Sequence, residues 1–149
     1  MTKRFLLVAV AALSIFAGAT VAQGASKPTK HKFSGTLKAR VLSGSSYTGI
    51  VTGTNGTGAA IIKVTPGKTP NDFKTTATAF YKNGSITATG PNTATPRADG
   101  SGTDFAGTSK VTKGTGVFKG ATGTLKLTGS STAADPTYGV FKVTGTVKY

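Results

Sequence analysis

Residues 113–129, KGTGVFKGATGTLKLTG, decide how the rest of the chain is read. Gly114 and Gly116 bracket Thr115 at a bend where the backbone needs positive φ or close approach, which glycine adopts without a Cβ clash. Phe118 follows and is placed to turn inward. Gly120, Ala121 and Gly123 make a second bend, after which Thr124, Leu125, Lys126, Leu127 and Thr128 alternate with period two. Leu125 and Leu127 then share one face and Lys126 takes the other, which predicts a half-buried strand.

The same period runs outward in both directions. Phe33, Gly35, Leu37, Ala39 and Val41 alternate with Ser34, Thr36, Lys38 and Arg40. Phe141, Val143, Gly145, Val147 and Tyr149 alternate with Lys142, Thr144, Thr146 and Lys148. Further strands are expected over 47–54, 59–65, 74–82, 85–90 and 104–111. The Asn83-Gly84 pair reads as a type I′ hairpin turn, whose two central residues need positive φ. Residues 66–72 and 130–137 read as loops, and 91–102 (PNTATPRADGSG) as the longest loop, mobile over a barrel mouth. With 28 threonines, 21 glycines and no helical period after residue 25, the chain reads as all-β.

About eight strands fit, and closing them into an antiparallel β-barrel removes exposed edges and leaves room inside for packed side chains or one small ligand. The rival arrangement is a β-sandwich. An outer-membrane barrel is disfavoured, because its strands turn apolar side chains outward, whereas here lysines would be forced into lipid or the lumen.

The GTG-x-F-x-GATGTL wording resembles the glycine-rich signature of the allene oxide cyclase and dirigent protein superfamily, GGTG-x-F-x-x-A-x-G leading into a barrel strand. Gly114, Thr115, Gly116, Phe118, Ala121 and Gly123 match it, and Lys113 stands where the first glycine would be. The resemblance implies a barrel of that kind. It also implies a function open to this chain, a cyclase or dirigent-like protein steering a reactive intermediate in its lumen. In those relatives carboxylates and other polar groups in the pocket handle a developing charge. None of Asp72, Asp99, Asp104 and Asp135 aligns onto such a role, and the chain has no glutamate.

The amino-terminal segment has its own signature. Two basic residues, Lys3 and Arg4, precede an apolar run over 5–16 and the small residues Ala17, Ala19, Ala22 and Ala25, the order of a secretory signal peptide. Cleavage after Ala19 fits the small-x-small rule best and cleavage after Ala22 nearly as well. The division adopted is 1–22 signal peptide, 23–32 flexible basic leader containing SKPTKHK, and 33–149 a single barrel domain. No membrane span is expected after cleavage, and the destination is secretion or the cell envelope. The chain has no cysteine, which excludes disulfides, thiolate metal sites and a cysteine nucleophile.

Eighteen Lys and Arg against four acids give a net charge of +14. Such a charge favours acidic partners such as extracellular and cell-wall polyanions, with no specific nucleic acid implied. Lys38, Arg40, Lys126, Lys142 and Lys148, all turned outward by the alternation, are the candidate polyanion contacts. Tyr47, Tyr81 and Arg97 are the candidate ligand contacts, expected to converge at one mouth and grip a flat or carboxylated molecule. No catalytic residue, cofactor or metal is expected. His31 is the single histidine, so a Ser-His-Asp triad has little to build on, and no metal-ligand spacing occurs. GTGVFKG is not a dinucleotide fingerprint, since it leads into a strand and offers no helix N-terminus to a pyrophosphate. The expected function is that of a secreted, non-enzymatic barrel, structural or binding a small apolar ligand.

Overall fold

Alternating β-branched and small residues leave each strand with one face that must be covered, and eight such strands cover one another by closing. In the computed structural model, which describes residues 27–149, the strands are β1 (Lys30–Ser43), β2 (Ser46–Gly53), β3 (Gly56–Pro66), β4 (Asp72–Tyr81), β5 (Gly84–Pro96), β6 (Gly102–Gly114), β7 (Thr122–Thr132) and β8 (Tyr138–Lys148). Each pairs antiparallel with the next, and β8 pairs back onto β1 from Lys30↔Lys148 to Arg40↔Tyr138. The fold is therefore a closed eight-stranded antiparallel barrel, and the sandwich alternative is removed. On the outer wall, threonines bond across strands, as between Thr78 and Thr87 (2.9 Å) and between Thr89 and Thr76 (3.2 Å). Such pairs suit a solvated sheet face and account for part of the threonine content.

Up-and-down topology gives the barrel two unlike ends. One carries the β1–β2, β3–β4, β5–β6 and β7–β8 connections and is called the open end here. The other carries the β2–β3 and β4–β5 turns, both described chain ends and a single 3-10 turn (Gly116–Phe118) between β6 and β7. That turn is the opening motif of the sequence, and it caps the barrel. Phe118 is 4 % exposed and joins a buried cluster with Phe33, Val51, Ile86, Val111, Leu125 and Val147. The cap is fastened to the β4–β5 hairpin by Thr115 N–H to Ser85 O (2.9 Å), Val117 N–H to Asn83 O (3.0 Å) and Ser85 N–H to Thr115 Oγ1 (3.0 Å). Gly116 has φ +60°, and a Cβ there would run into the Asn83 carbonyl oxygen. Glycine is required at that point on both counts.

Four expectations need correction. β5 continues through Pro96, so 91–96 is strand and the loop shrinks to 97–101. The inward residues of that strand segment are Asn92 and Ala94, so no apolar period announces it. Pro91 is tolerated in the wall because the β5–β6 ladder skips from Thr89↔Lys110 to Asn92↔Gly107. β7 likewise runs to Thr132, leaving 133–137 as loop. The β4–β5 turn centres on Lys82-Asn83, with Tyr81 paired to Gly84; no non-glycine residue described has positive φ, so it is not type I′ at Asn83. Finally, β1 begins at Lys30, so the last three residues of the supposed leader are strand, and His31 stacks on Tyr149 with 4.2 Å between ring centroids. The segment read as a signal peptide, 1–22, and residues 23–26 of the expected leader lie outside the described residues. No described helix is long and apolar enough to cross a membrane.

Candidate functional site

The capped half of the barrel is filled, and the open half is not. A cavity of about 440 Å³ occupies the open half, walled by Leu37, Tyr47, Ile62, Phe73, Phe105 and Phe141 and rimmed by Pro66, Pro70, Pro136 and Tyr138. Its volume lies within the range that holds one small molecule. The three phenylalanines come from β4, β6 and β8 and touch in series, Phe73–Phe105 at 6.2 Å and Phe105–Phe141 at 5.6 Å between centroids. Glycines in the wall let their neighbours approach closely: a Cβ on Gly139 would meet the Phe141 ring, and one on Gly90 the Thr108 carbonyl oxygen.

Polar groups in this wall are few. Asn92 is 3 % exposed and donates from Nδ2 to Thr75 Oγ1 (2.9 Å) and to Gly90 O (3.1 Å), while its Oδ1 has no partner. Its carboxamide fits only because Gly107 opposite has no Cβ, which would collide with Oδ1. Ser131 is buried in the same wall, and Tyr47 brings a hydroxyl from β2. Among the described residues, no Lys, Arg or His lines the cavity. Asp72 stands at its edge, taking a bond from Thr69 Oγ1 (2.8 Å).

The rim is fixed by charge pairs. Arg40 donates from Nη2 to Asp135 Oδ2 (2.9 Å) and from Nη1 to Thr137 Oγ1 (3.2 Å), and its guanidinium lies 5.2 Å from the Tyr138 ring centroid. The Thr137 hydroxyl, and after it Arg40, hold the Asp135 carboxyl below its ordinary value. Across the rim, Arg97 Nε donates to Asp104 Oδ1 (3.0 Å), and this contact holds the Asp104 carboxyl low. Asp99 caps the same turn by accepting the Ser101 N–H (2.9 Å), which lowers its carboxyl too. The 97–101 turn is thus pinned, where a mobile loop was expected.

The tyrosines and arginine proposed from sequence do not meet. Tyr47 lines the cavity, but Tyr81 lies at the capped end, 5.7 Å from Phe118 between centroids, and Arg97 is held on the rim by Asp104. Burial pushes the Tyr81 hydroxyl up to about 12. Sequence reading missed Thr75, Asn92 and the three phenylalanines; Asn92 was hidden in what looked like loop.

The basic residues divide in the same way. Lys38, Lys142 and Lys126 face outward on β1, β8 and β7, offset diagonally through Thr36↔Lys142 and Lys126↔Thr144, and Lys110 of β6 extends the line through Thr108↔Lys126. Arg40 is committed to Asp135, and Lys148 lies at the capped end opposite Lys30. A shallow outer groove of about 730 Å³ lies between Lys74 and Lys126, floored by Pro91, Ala106 and Thr108, with Lys68 and Asp72 at one end. All four aspartates sit at the open end, in or beside its connections. Among the described residues no group of His, Cys, Asp or Glu could hold a metal ion.

No protein-family profile, curated protein or solved structure matches the chain. The functional reading therefore rests on the lumen and the wall.

Proposed function

We propose that this protein is an exported, non-enzymatic barrel that takes one small apolar molecule into its lumen through the open end. The observation that carries the reading is the cavity of about 440 Å³, walled by aromatic and aliphatic side chains and stopped at its far end by the Phe118 cap. Burying an apolar ligand against such a wall gains about 25 cal/mol per Å² removed from water. The walls are already set by the strand ladder, so little ordering opposes binding. The decisive experiment is a screen of the folded protein against phenolics, terpenoids and fatty acids by thermal shift, with a Leu37→Trp variant to fill the lumen. The reading requires a ligand that raises the melting temperature of wild type and not of the filled variant. No shift with any class would end it.

A second reading is favoured by the groove between Lys74 and Lys126 and by the segregation of acids to the open end: the outer wall binds extracellular polyanions. Attraction of this kind is screened over about 8 Å at physiological ionic strength. Retention on heparin should then fall steeply with salt and be weakened by Lys74→Gln with Lys126→Gln. Retention that survives about 1 M salt, where screening is nearly complete, speaks against it.

A further inference from the structure

We propose that Thr75 and Asn92 form the polar anchor of the lumen, and that the ligand they select is a neutral molecule with an apolar body and one hydrogen-bond acceptor, a ketone or aldehyde in the simplest case. The inference rests on the lumen reading above and narrows it to a chemical class.

The argument begins with the hydrogen-bond inventory of the pair. Both Nδ2 hydrogens of Asn92 are used, one on Thr75 Oγ1 and one on Gly90 O. Thr75 is thereby an acceptor toward Asn92, and a hydroxyl that accepts still has its own proton to give. No bond from Thr75 to another described residue takes that proton. Thr75 points inward from β4 and lines the cavity. Asn92 fixes the orientation of the hydroxyl, and Thr75 presents the donor.

The second step concerns charge. An acid brought into this lumen would lose its hydration and find no cation in the wall, because among the described residues neither Lys, Arg nor His lines it. Asp72, at the edge, carries charge of the same sign as the acid. A buried, unpaired carboxylate is strongly disfavoured, whereas a carbonyl needs a single donor. Arg97 would have changed this balance, but it faces Asp104 on the rim. A hydrocarbon, at the other extreme, leaves the Thr75 proton unmet, and an unmade buried bond is a loss. The neutral acceptor lies between these limits and satisfies both.

Three terpenoids of one skeleton separate the cases: limonene (hydrocarbon), carvone (ketone) and perillate (carboxylate), titrated into the full-length folded protein by calorimetry at neutral pH. Carvone should bind roughly tenfold more tightly than limonene, the factor one net hydrogen bond supplies. Perillate should be the weakest of the three. In Thr75→Val, which keeps the shape of the side chain, carvone should lose its advantage while limonene binds as before; Thr75→Ser should retain it. Perillate binding as well as carvone, or carvone keeping its advantage in folded Thr75→Val, overturns the anchor and leaves the lumen reading intact. The wild-type ranking decides the class even if Thr75→Val does not fold. Failure of all three ligands to bind removes the lumen reading and this inference together.

Discussion

Phe118 meets Tyr149 edge to face, 5.0 Å between ring centroids and 79° between planes, so the cap between β6 and β7 rests on the last residue of the chain. Tyr149 in turn stacks on His31 of β1, and its backbone is bonded in both directions to Thr29. One aromatic contact therefore ties the cap to the seam where the first and last strands join. Replacing the ring tests how much of the fold depends on it. Phe118→Ala should lower the unfolding free energy by about 3 to 5 kcal/mol, the usual loss for a core aromatic. Urea unfolding followed by circular dichroism measures it, and a change near zero would mean that the capped end is not part of the core.

Two glycines of the cap differ in a way that mutagenesis can separate. Gly120 has φ +77° and open space around its missing Cβ, whereas Gly116 combines φ +60° with the Asn83 carbonyl in the way. Gly120→Ala should cost about 1 kcal/mol, the backbone penalty alone. Gly116→Ala should cost clearly more, since the turn must also pull away from the β4–β5 hairpin. Equal losses in the two variants would show that the close approach contributes nothing.

Tyr81 provides a pH test. Burial disfavours the phenolate and pushes its hydroxyl up to about 12 in the folded protein, against an ordinary 10.0. Between those values the unfolded chain has released the proton and the folded one still holds it. Stability is therefore intact below the lower value and falls as pH rises toward the upper one. The measurement is the difference between wild type and Tyr81→Phe, in which the contribution of every other group cancels. The phenylalanine variant should lose stability less steeply in alkali; parallel curves would refute the assignment.

At the open end the charge pairs should act on local order more than on global stability. Asp135→Asn removes the carboxylate that Arg40 and the Thr137 hydroxyl both engage, and exposed pairs of this kind contribute little to unfolding energy. The expected result is faster amide exchange across 133–138 with a melting temperature nearly unchanged. Acid should produce the same loosening in wild type, because the stabilisation held by a lowered carboxyl is lost as pH falls through its folded value. Unchanged exchange would show that the loop is held by its backbone.

Much of the architecture was legible because threonine and valine alternate so regularly: each of the eight strands was anticipated at its centre. What escaped was the lumen. A period-two reading recognises an inner face by large apolar residues, and here the inner face of β5 runs Ile86, Ala88, Gly90, Asn92, Ala94 as the filled half gives way to the open one. The same change of lining that empties the cavity erases the signal for the strand. The pairing of Tyr47 with Tyr81 failed for a simpler reason. β2 and β4 run in the same direction, and Tyr47 stands near the start of one while Tyr81 ends the other, so counting hairpins alone sets them at opposite ends. Asn92 and Thr75 had no such clue, because their hydrogen bond depends on the β4–β5 register.

The seam between β1 and β8 has a consequence for how the chain reaches this state. Every other strand pair joins sequence neighbours, but Lys30↔Lys148 joins positions separated by nearly the whole described chain. Until β8 arrives, seven strands form a sheet with two bare edges, each able to pair with another copy. Closing a loop of that length is slow compared with forming a hairpin. Productive folding and strand-to-strand association therefore compete for the same backbone groups, and the outcome depends on protein concentration during folding. A chain lacking β8 (Tyr138–Lys148) and Tyr149 would keep both edges permanently, exchanging a closed surface for a template on which other copies assemble.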